Sequence, residues 1–279
     1  MTMKIQGDGV GLAAEVRGRG DGPTLVLLHG YPDTRRVWDG VVERLAPRFR
    51  VVTYDVRGAG ESGRPRPRAA YRFVHLMNDL RAVLDAVGGD GPVHLAGHDW
   101  GSIQGWEAVT TMPERFASYT SISGPCLDHA GMWGRDGAPP SARLAQALHS
   151  WYIGFFQLPL LPELGWRTGM AARIIARSEG MPGHGHFAPT LSRDGAAGVS
   201  LYRANMPDRL LHPRKRTTDV PVQVVIAEKD PFVTPRLAAE APRPYASDLR
   251  TVRLAARHWA PVTHAAEVAE LIAAHADEN

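Results

Sequence analysis

An α/β protein with a mostly parallel, doubly wound sheet and a helical insertion is what this sequence predicts, on three observations. Near-continuous apolar runs such as Thr24–Leu28 and Val222–Ala227 mark strands buried on both faces, as in a parallel sheet. Helical segments alternate with these runs, which makes a doubly wound arrangement the economical topology. Between about Cys126 and Arg216 the strand signal vanishes, and amphipathic pieces separated by Pro and Gly clusters replace it.

Taken in order, Met3–Gln6 and Leu12–Val16 are expected to pair as an N-terminal hairpin before the first buried strand, Thr24–Leu28. A helix over about Val37–Leu45, a strand over Arg50–Tyr54, a glycine-rich loop and a periodic helix over Tyr71–Val87 follow. Val93–Ala96 is the next strand, its turn leads into a helix that ends before Pro113, and Ser118–Ile122 completes this half. Within the insertion, helices are expected over Arg143–Phe156, Arg167–Arg177 and Asp194–Arg203. Val222–Ala227 then resumes the buried-strand pattern, with a helix near Arg236–Ala241, a last strand at Leu249–Leu254 and a closing helix over Val262–Ala274. The expected division is a core of residues 1–125 and 217–279 and a helical cap of residues 126–216.

At 279 residues, 44% hydrophobic and 22% charged, the chain can bury a substantial core and has the balance of an ordinary globular protein. Its 32 basic and 29 acidic side chains leave a net +3, dispersed apart from Arg64, Arg66, Arg68 and the run Arg214, Lys215, Arg216. No aromatic residues interleave those clusters, so nucleic acid is not an expected partner. The lone cysteine, Cys126, excludes an intramolecular disulfide and a multi-cysteine metal site, and is expected to be a buried small hydrophobe. The chain starts without an apolar signal core and no run reaches bilayer-spanning length, so no membrane partner is expected and the expected location is cytoplasmic. A homodimer is left open.

The chemistry concentrates at one turn. Gly97-His98-Asp99-Trp100-Gly101 joins the strand ending at Ala96 to the following helix. Small residues are needed on both flanks where a central residue is held strained on a sharp strand-to-helix turn. That centre is a nucleophile's place, and a carboxylate there attacks saturated carbon more usefully than carbonyl carbon. The competing role for Asp99 is a helix N-cap, against which the flanking glycines and buried strand speak. Three further groups fall at the C-terminal ends of strands, where open α/β sheets hold ligands: His29-Gly30-Tyr31-Pro32, Glu228-Lys229-Asp230 and Arg257-His258-Trp259. Nucleophile, acid and histidine therefore come in the order Asp99, Asp230, His258.

That order and that turn resemble the α/β-hydrolase fold across essentially the full chain. Within it, His29-Gly30-Tyr31-Pro32, the segment Asp55-Val56-Arg57-Gly58-Ala59-Gly60-Glu61-Ser62 and the Asp99 turn are similar to epoxide hydrolases and haloalkane dehalogenases, which share an aspartate at this place. Ser150 to Pro159 is similar to the epoxide hydrolase cap segment carrying one ring-opening tyrosine, here Tyr152. Leu201 to Asn205 is similar to the segment carrying the other, here Tyr202. The chain also resembles the hydrolase part of actinobacterial proteins in which this domain is fused to a short-chain dehydrogenase, a part expected to be absent here. Two departures stand out: Arg257 replaces the glycine common before the histidine, and no acidic residue follows just after Trp259.

The resemblance implies an epoxide hydrolase needing no metal or organic cofactor, with a small apolar epoxide and water as partners. Opening an epoxide leaves an alkoxide, and a phenol with a pKa of about 10 can donate to it while staying protonated at neutral pH. Tyr152 and Tyr202 are implied to hold the oxygen while Asp99 attacks carbon and forms an alkyl ester. His258, oriented by Asp230, is implied to activate water against that ester, and the backbone N–H groups of Tyr31 and Trp100 to receive the oxyanion. Trp100, Phe156, Trp151 and His98 are the expected pocket wall, within an aromatic cap that includes Phe155, Trp166 and Phe187.

Two other readings compete: haloalkane dehalogenation by the same triad, in which halide leaves without a proton donor, and a biosynthetic epoxide-opening or binding protein of this fold. Plain packing roles also compete residue by residue: apolar cap packing for Tyr152, an exposed helix position for Tyr202, loop capping for Asp230. His29 is expected to shape the oxyanion loop, and Asp55 and Arg57 to brace neighbouring loops. His184 and His186 are separated by Gly185 alone, without acidic or cysteine neighbours, so no metal site is expected there.

Overall fold

The computed structural model describes residues 1–87, 89, 91–179, 181 and 187–279. An eight-stranded sheet organises it, in the order β1 (Thr2–Gln6), β2 (Gly11–Gly18), β4 (Arg50–Tyr54), β3 (Thr24–Leu28), β5 (Val93–His98), β6 (Phe116–Ile122), β7 (Val222–Ala227) and β8 (Leu249–Leu254). β1 and β2 pair as the expected hairpin, β2 runs antiparallel to β4, and every later neighbour is parallel.

The continuous apolar strands serve two cores at once. Leu25 and Leu27 of β3 join one cluster, and Val26 and Leu28 join the other, because successive side chains leave a strand on opposite faces. On the first face lie α1 (Asp39–Leu45) and α12 (Ala265–Asp277), preceded by the short α11 (Ala260–Thr263). On the second lie α2 (Phe73–Val87) and α3 (Trp100–Thr111). β8 is less buried, with Arg250 and Arg253 exposed, as befits an edge strand. α10 (Pro235–Glu240) follows β7, capped by the Thr234 hydroxyl.

Between β6 and β7 the described residues hold no strand. The segment contains α4 (Leu127–Met132), a π-turn at Trp133–Gly137, α5 (Pro140–His149), α6 (Trp151–Gln157), α7 (Leu161–Arg167), α8 (Met170–Glu179) and α9 (Leu191–Leu211). The segmentation corrects the sequence reading. The helix expected over Arg143–Phe156 divides at Ser150, and that over Arg167–Arg177 divides at Gly169, whose φ of 73° is a left-handed conformation that glycine adopts freely. The piece expected over Asp194–Arg203 is part of a 21-residue helix, and the closing helix divides at His264.

α9 is pinned to the core along its length. Asp194 accepts from the Gly60 amide at 2.8 Å and from Arg64 at 2.7 Å. Asn205 accepts from the Phe73 amide at 3.0 Å and donates to the Tyr71 carbonyl at 2.9 Å. Arg209 bonds Glu107 at 2.8 Å and Asp128, while Arg216 reaches Asp128 at 2.7 Å, a buried four-charge cluster in which each ion has an opposite neighbour. Among the described residues no helix is long and apolar enough to cross a membrane.

Candidate active site

Asp99 stands between β5 and α3 with φ 53° and ψ −120°. The turn is too tight for side chains on its flanks: a Cβ at Gly97 would lie 2.4 Å from the Gly101 carbonyl oxygen, and one at Gly101 would lie 2.0 Å from that of Leu28. Asp99 occupies the N-cap position of α3, yet its carboxylate makes no capping bond. Oδ1 instead accepts the Tyr31 amide at 2.6 Å. A residue held at positive φ whose side chain forgoes its ordinary local bond is strain stored at the turn.

The Tyr31 loop is braced as expected. His29 Nε2 accepts the Val56 amide at 2.8 Å, so Nδ1 carries the proton and donates to the Gly30 carbonyl at 2.8 Å. The Tyr31 hydroxyl donates to the Gly195 carbonyl of α9 at 2.8 Å. Asp55 takes the amides of Arg35 and Glu61, and Arg57 forks onto Asp79 with two 2.7 Å bonds, so both brace loops. Of the two oxyanion amides expected, only that of Tyr31 bonds the Asp99 carboxylate in this state.

Asp230 and His258 lie after β7 and β8. His258 Nδ1 is 2.9 Å from Asp230 Oδ2, and its Nε2 is 3.6 Å from Asp99 Oδ2. Asp230 Oδ1 accepts the amides of Phe232 and Val233 at 2.8 and 3.1 Å, which fixes the carboxylate plane. Burial disfavours the imidazolium, but the adjacent Asp230 and Asp99 carboxylates outweigh it and raise the His258 pKa well above the usual value. Burial likewise opposes ionisation of Asp230, yet His258 and its hydrogen bonds hold that carboxyl below the usual range. Arg257 does not crowd the loop: its side chain is exposed and donates to the Ser178 carbonyl at 2.8 Å. An acidic group missing after Trp259 is met from the insertion, where buried Glu179 accepts the Trp259 amide at 3.4 Å.

Tyr152 on α6 and Tyr202 on α9 border the same cavity as Asp99 and His258, a space of about 340 Å³. Their rings meet edge to face with centroids 5.9 Å apart, and Tyr202 also packs against Trp100 at 5.0 Å. Burial, then the negative charge of Asp99, holds both phenols above the usual tyrosine value, so they stay protonated. Arg203, beside Tyr202, donates to the Phe156 carbonyl at 2.8 Å and forks onto Glu163, tying α6 and α7 to α9. The rest of the wall is largely apolar, including Ile103, Leu127, Met206, Leu210 and Leu237.

The expected aromatic wall needs correction. Trp100 lines the cavity, but Trp151 is 68% exposed on the outer side of α6. Phe156 sits behind the tyrosines, packing on Tyr202 at 4.7 Å, and Trp166 packs on Tyr31 at 5.6 Å. His98 is fully buried behind His258, where Nε2 donates to the His258 carbonyl at 2.9 Å and burial lowers its pKa to about 4. It positions the histidine loop and does not meet the cavity. For Trp151, Phe156 and Trp166 the cause is that periodicity in short helices does not say which face turns inward; for His98, at the end of β5, it is that a neighbour of Asp99 in sequence points away from the cavity. Cys126 is buried, as expected, and burial pushes its thiol up to about 12. His184 and His186 lie outside the described residues.

Two residues join the site that the motifs did not signal. Phe232 stacks edge to face on His258 at 4.8 Å and on Tyr152 at 5.2 Å. Gln146 of α5 donates through Nε2 to the Phe232 carbonyl at 2.9 Å and the Ser150 hydroxyl at 2.8 Å, while Oε1 accepts the Thr234 amide and hydroxyl. An aromatic residue two places beyond the acid was a signal for Phe232; Gln146 had none.

A family model described as alpha/beta hydrolase fold matches residues 23–265. The protein named "Probable oxidoreductase EphD" of Mycobacterium tuberculosis is 35% identical over 292 aligned positions, covering 97% of this chain and 48% of that protein. Epoxide hydrolase B of the same organism is 32% identical over 176 positions, covering 57% of this chain and 48% of that protein. The chain thus spans about half the length of these curated relatives. Among solved structures, a Bacillus megaterium epoxide hydrolase in complex with an inhibitor matches with a TM-score of 0.81 and 22% identity, over 99% of this chain and 100% of that one. That likeness shows the shared fold.

Proposed function

The chain belongs to the alpha/beta hydrolase fold family, and from that premise we propose that it is an epoxide hydrolase forming vicinal diols through a covalent ester of Asp99. The observation that carries this reading is the pair of protonated phenols, Tyr152 and Tyr202, bordering one apolar cavity with Asp99. The name of one mycobacterial relative, epoxide hydrolase B, agrees with it. In this reading residues 126–216 are the cap and residues 1–125 and 217–279 the core.

Two half-reactions share the site. A carboxylate oxygen of Asp99 attacks an epoxide carbon, the C–O bond breaks, and the alkoxide takes a proton from a phenol. Water then attacks the carbonyl carbon of the ester, giving its proton to His258 Nε2, while Asp230 stabilises the imidazolium and the Tyr31 amide receives the oxyanion. Collapse breaks the bond between that carbonyl and the glycol oxygen, which takes the proton from His258 and leaves as the diol, while the regenerated Asp99 carboxyl gives up its proton to restore the phenol, returning Asp99, His258 and the tyrosine to their starting states. Esterification removes the Asp99 charge that raises the His258 pKa, so alkylation itself readies the base.

A single turnover of a terminal aryl epoxide in heavy-oxygen water tests the scheme: label enters Asp99 first and the diol only in later turnovers. Label in the first-turnover diol overturns it. A second reading, haloalkane dehalogenation, draws on the Trp100 indole at the cavity wall but leaves both phenols without a task. Tyr152→Phe and Tyr202→Phe separate the two, since loss of a phenol leaves halide release unimpaired.

A further inference from the structure

The outer side of the cap helices carries a surface that catalysis leaves unused. Of the large apolar side chains exposed among the described residues, most fall between residues 144 and 174. Leu148 and Trp151 are 66% and 68% exposed, Leu160 is 78% exposed at a turn of positive φ, and Leu164, Met170 and Ile174 are each more than half exposed. The pattern follows helical phase. On α5 Leu144 and Leu148, four residues apart, face out, and Trp151 is exposed at the start of α6; on α7 Leu161 and Leu164 face out while Gly165 and Trp166 are buried. On α8 Met170 and Ile174 face out while Ala172 is buried.

Charge on this surface has one sign. From residue 137 to 179 the only carboxylates are Glu163, held by Arg203, and Glu179, which is buried. Arg143, Arg167, Arg173 and Arg177 are exposed and, among the described residues, none of them pairs with a carboxylate. Among the described residues Arg143 donates hydrogen bonds only to the carbonyls of Gly134 and Arg135, each at 3.4 Å. Exposed leucines, a tryptophan and arginines without a carboxylate partner among the described residues, carried on four consecutive cap helices that contact one another in turn, are the composition of a surface that lies in a membrane interface, apolar groups among the acyl chains and guanidinium groups at anionic headgroups.

We propose that this face of the cap docks the protein on an anionic lipid surface. A second copy of the chain is a poorer occupant, because a self-complementary contact would bring eight guanidinium groups together with no carboxylate to neutralise them. The expectation of no membrane partner rested on the absence of a spanning run, and a face assembled from four short helices contains none. The placement also suits the proposed activity, on which this one step rests. Arg143 and Ala147 border the cavity from α5, and the neighbouring Leu144 and Leu148 belong to the exposed stripe. An apolar epoxide dissolved in the lipid would therefore meet the cavity mouth without crossing water.

Flotation of the full chain with vesicles tests the proposal. The protein is expected to float with phosphatidylcholine vesicles containing about one-third phosphatidylglycerol and to stay behind with phosphatidylcholine alone, the binding weakening as salt rises. Arg167→Glu/Arg173→Glu/Arg177→Glu and, separately, Leu160→Ser/Leu164→Ser/Met170→Ser are each expected to lower the lipid partition coefficient at least about tenfold while leaving turnover of a water-soluble epoxide unchanged. Failure to float with the anionic vesicles overturns the proposal, as does equal binding to neutral vesicles or a charge-reversed variant that floats like the wild type. A dimer that the leucine variant dissolves, without vesicle binding, would assign the face to a second copy instead. Because flotation needs no turnover, a protein that floats yet opens no epoxide would overturn only the reading of the active site.

Discussion

The core and the cap line one cavity by different physical means. In the core, Asp99, Asp230 and His258 stand on turns at the ends of β5, β7 and β8, where sheet pairing fixes the backbone and local amides fix the side chains. In the cap, Tyr152 and Tyr202 stand on helices, and their place depends on side chains that reach other layers: Asp194, Asn205 and Arg209 for α9, Arg203 and Gln146 for α6. The core half of the site is built from short local segments, whereas the cap half is held by contacts between residues far apart in the chain.

If the core carries ester formation and cleavage, Asp99→Ala should cost the most, about a millionfold in turnover, with the fold intact by circular dichroism. His258→Gln should slow the second half by about 10³–10⁴-fold and leave the first, so that intact-protein mass spectrometry finds a substrate-mass adduct on Asp99. No adduct would mean that the core does not divide the reaction in this way. The pH dependence sharpens the same point. The free-protein pKa of His258 is raised, and esterification withdraws one cause of the rise, so the acid limb of kcat should lie at lower pH than the His258 titration followed by NMR without substrate.

The stability consequence has a definite sign: a raised His258 pKa adds stability that is fully present below the usual 6.5 and is lost as pH rises through the folded value. The gap in thermal midpoint between wild type and His258→Gln should therefore narrow toward alkaline pH.

If the cap carries ring opening, Tyr152→Phe and Tyr202→Phe should each slow the alkylation burst by about a hundredfold and leave breakdown of a preformed adduct near the wild-type rate. Gln146→Met is the variant that breaks the division. Gln146 bonds both the Phe232 carbonyl beyond Asp230 and the Ser150 hydroxyl before Tyr152, so both halves should slow together by about tenfold. A purely wall-forming Gln146 would alter KM alone. The smallest effect belongs to Trp151→Ala, expected to leave turnover of soluble substrate within about twofold because the indole faces solvent.

The alternation of strands and helices, the two-faced core and the place of Asp99, Asp230 and His258 after strands were legible in the chain because each is encoded locally. A parallel strand must be apolar on both faces, a strained turn must be flanked by small residues, and a ligand-binding loop must follow a strand. The phenols were legible only through resemblance, since nothing in an isolated helix says that its tyrosine faces a carboxylate. His98 and Trp151 were misplaced for a related reason: one is next to the nucleophile in sequence but behind the histidine in space, the other is one residue from Tyr152 but on the opposite side of its helix.

By itself the sequence determined a doubly wound sheet, a strained aspartate at its turn, and an acid and a histidine in the order of the fold. Tertiary structure decided which cap faces close the cavity, that Gln146 and Phe232 link Tyr152 to Asp230, and that Glu179 reaches the His258 loop from the insertion. The physical reason is range. Backbone conformation and strand burial are set by neighbours in the chain, while the direction of a helix face and the partner of a buried polar side chain are set by whatever packs against them.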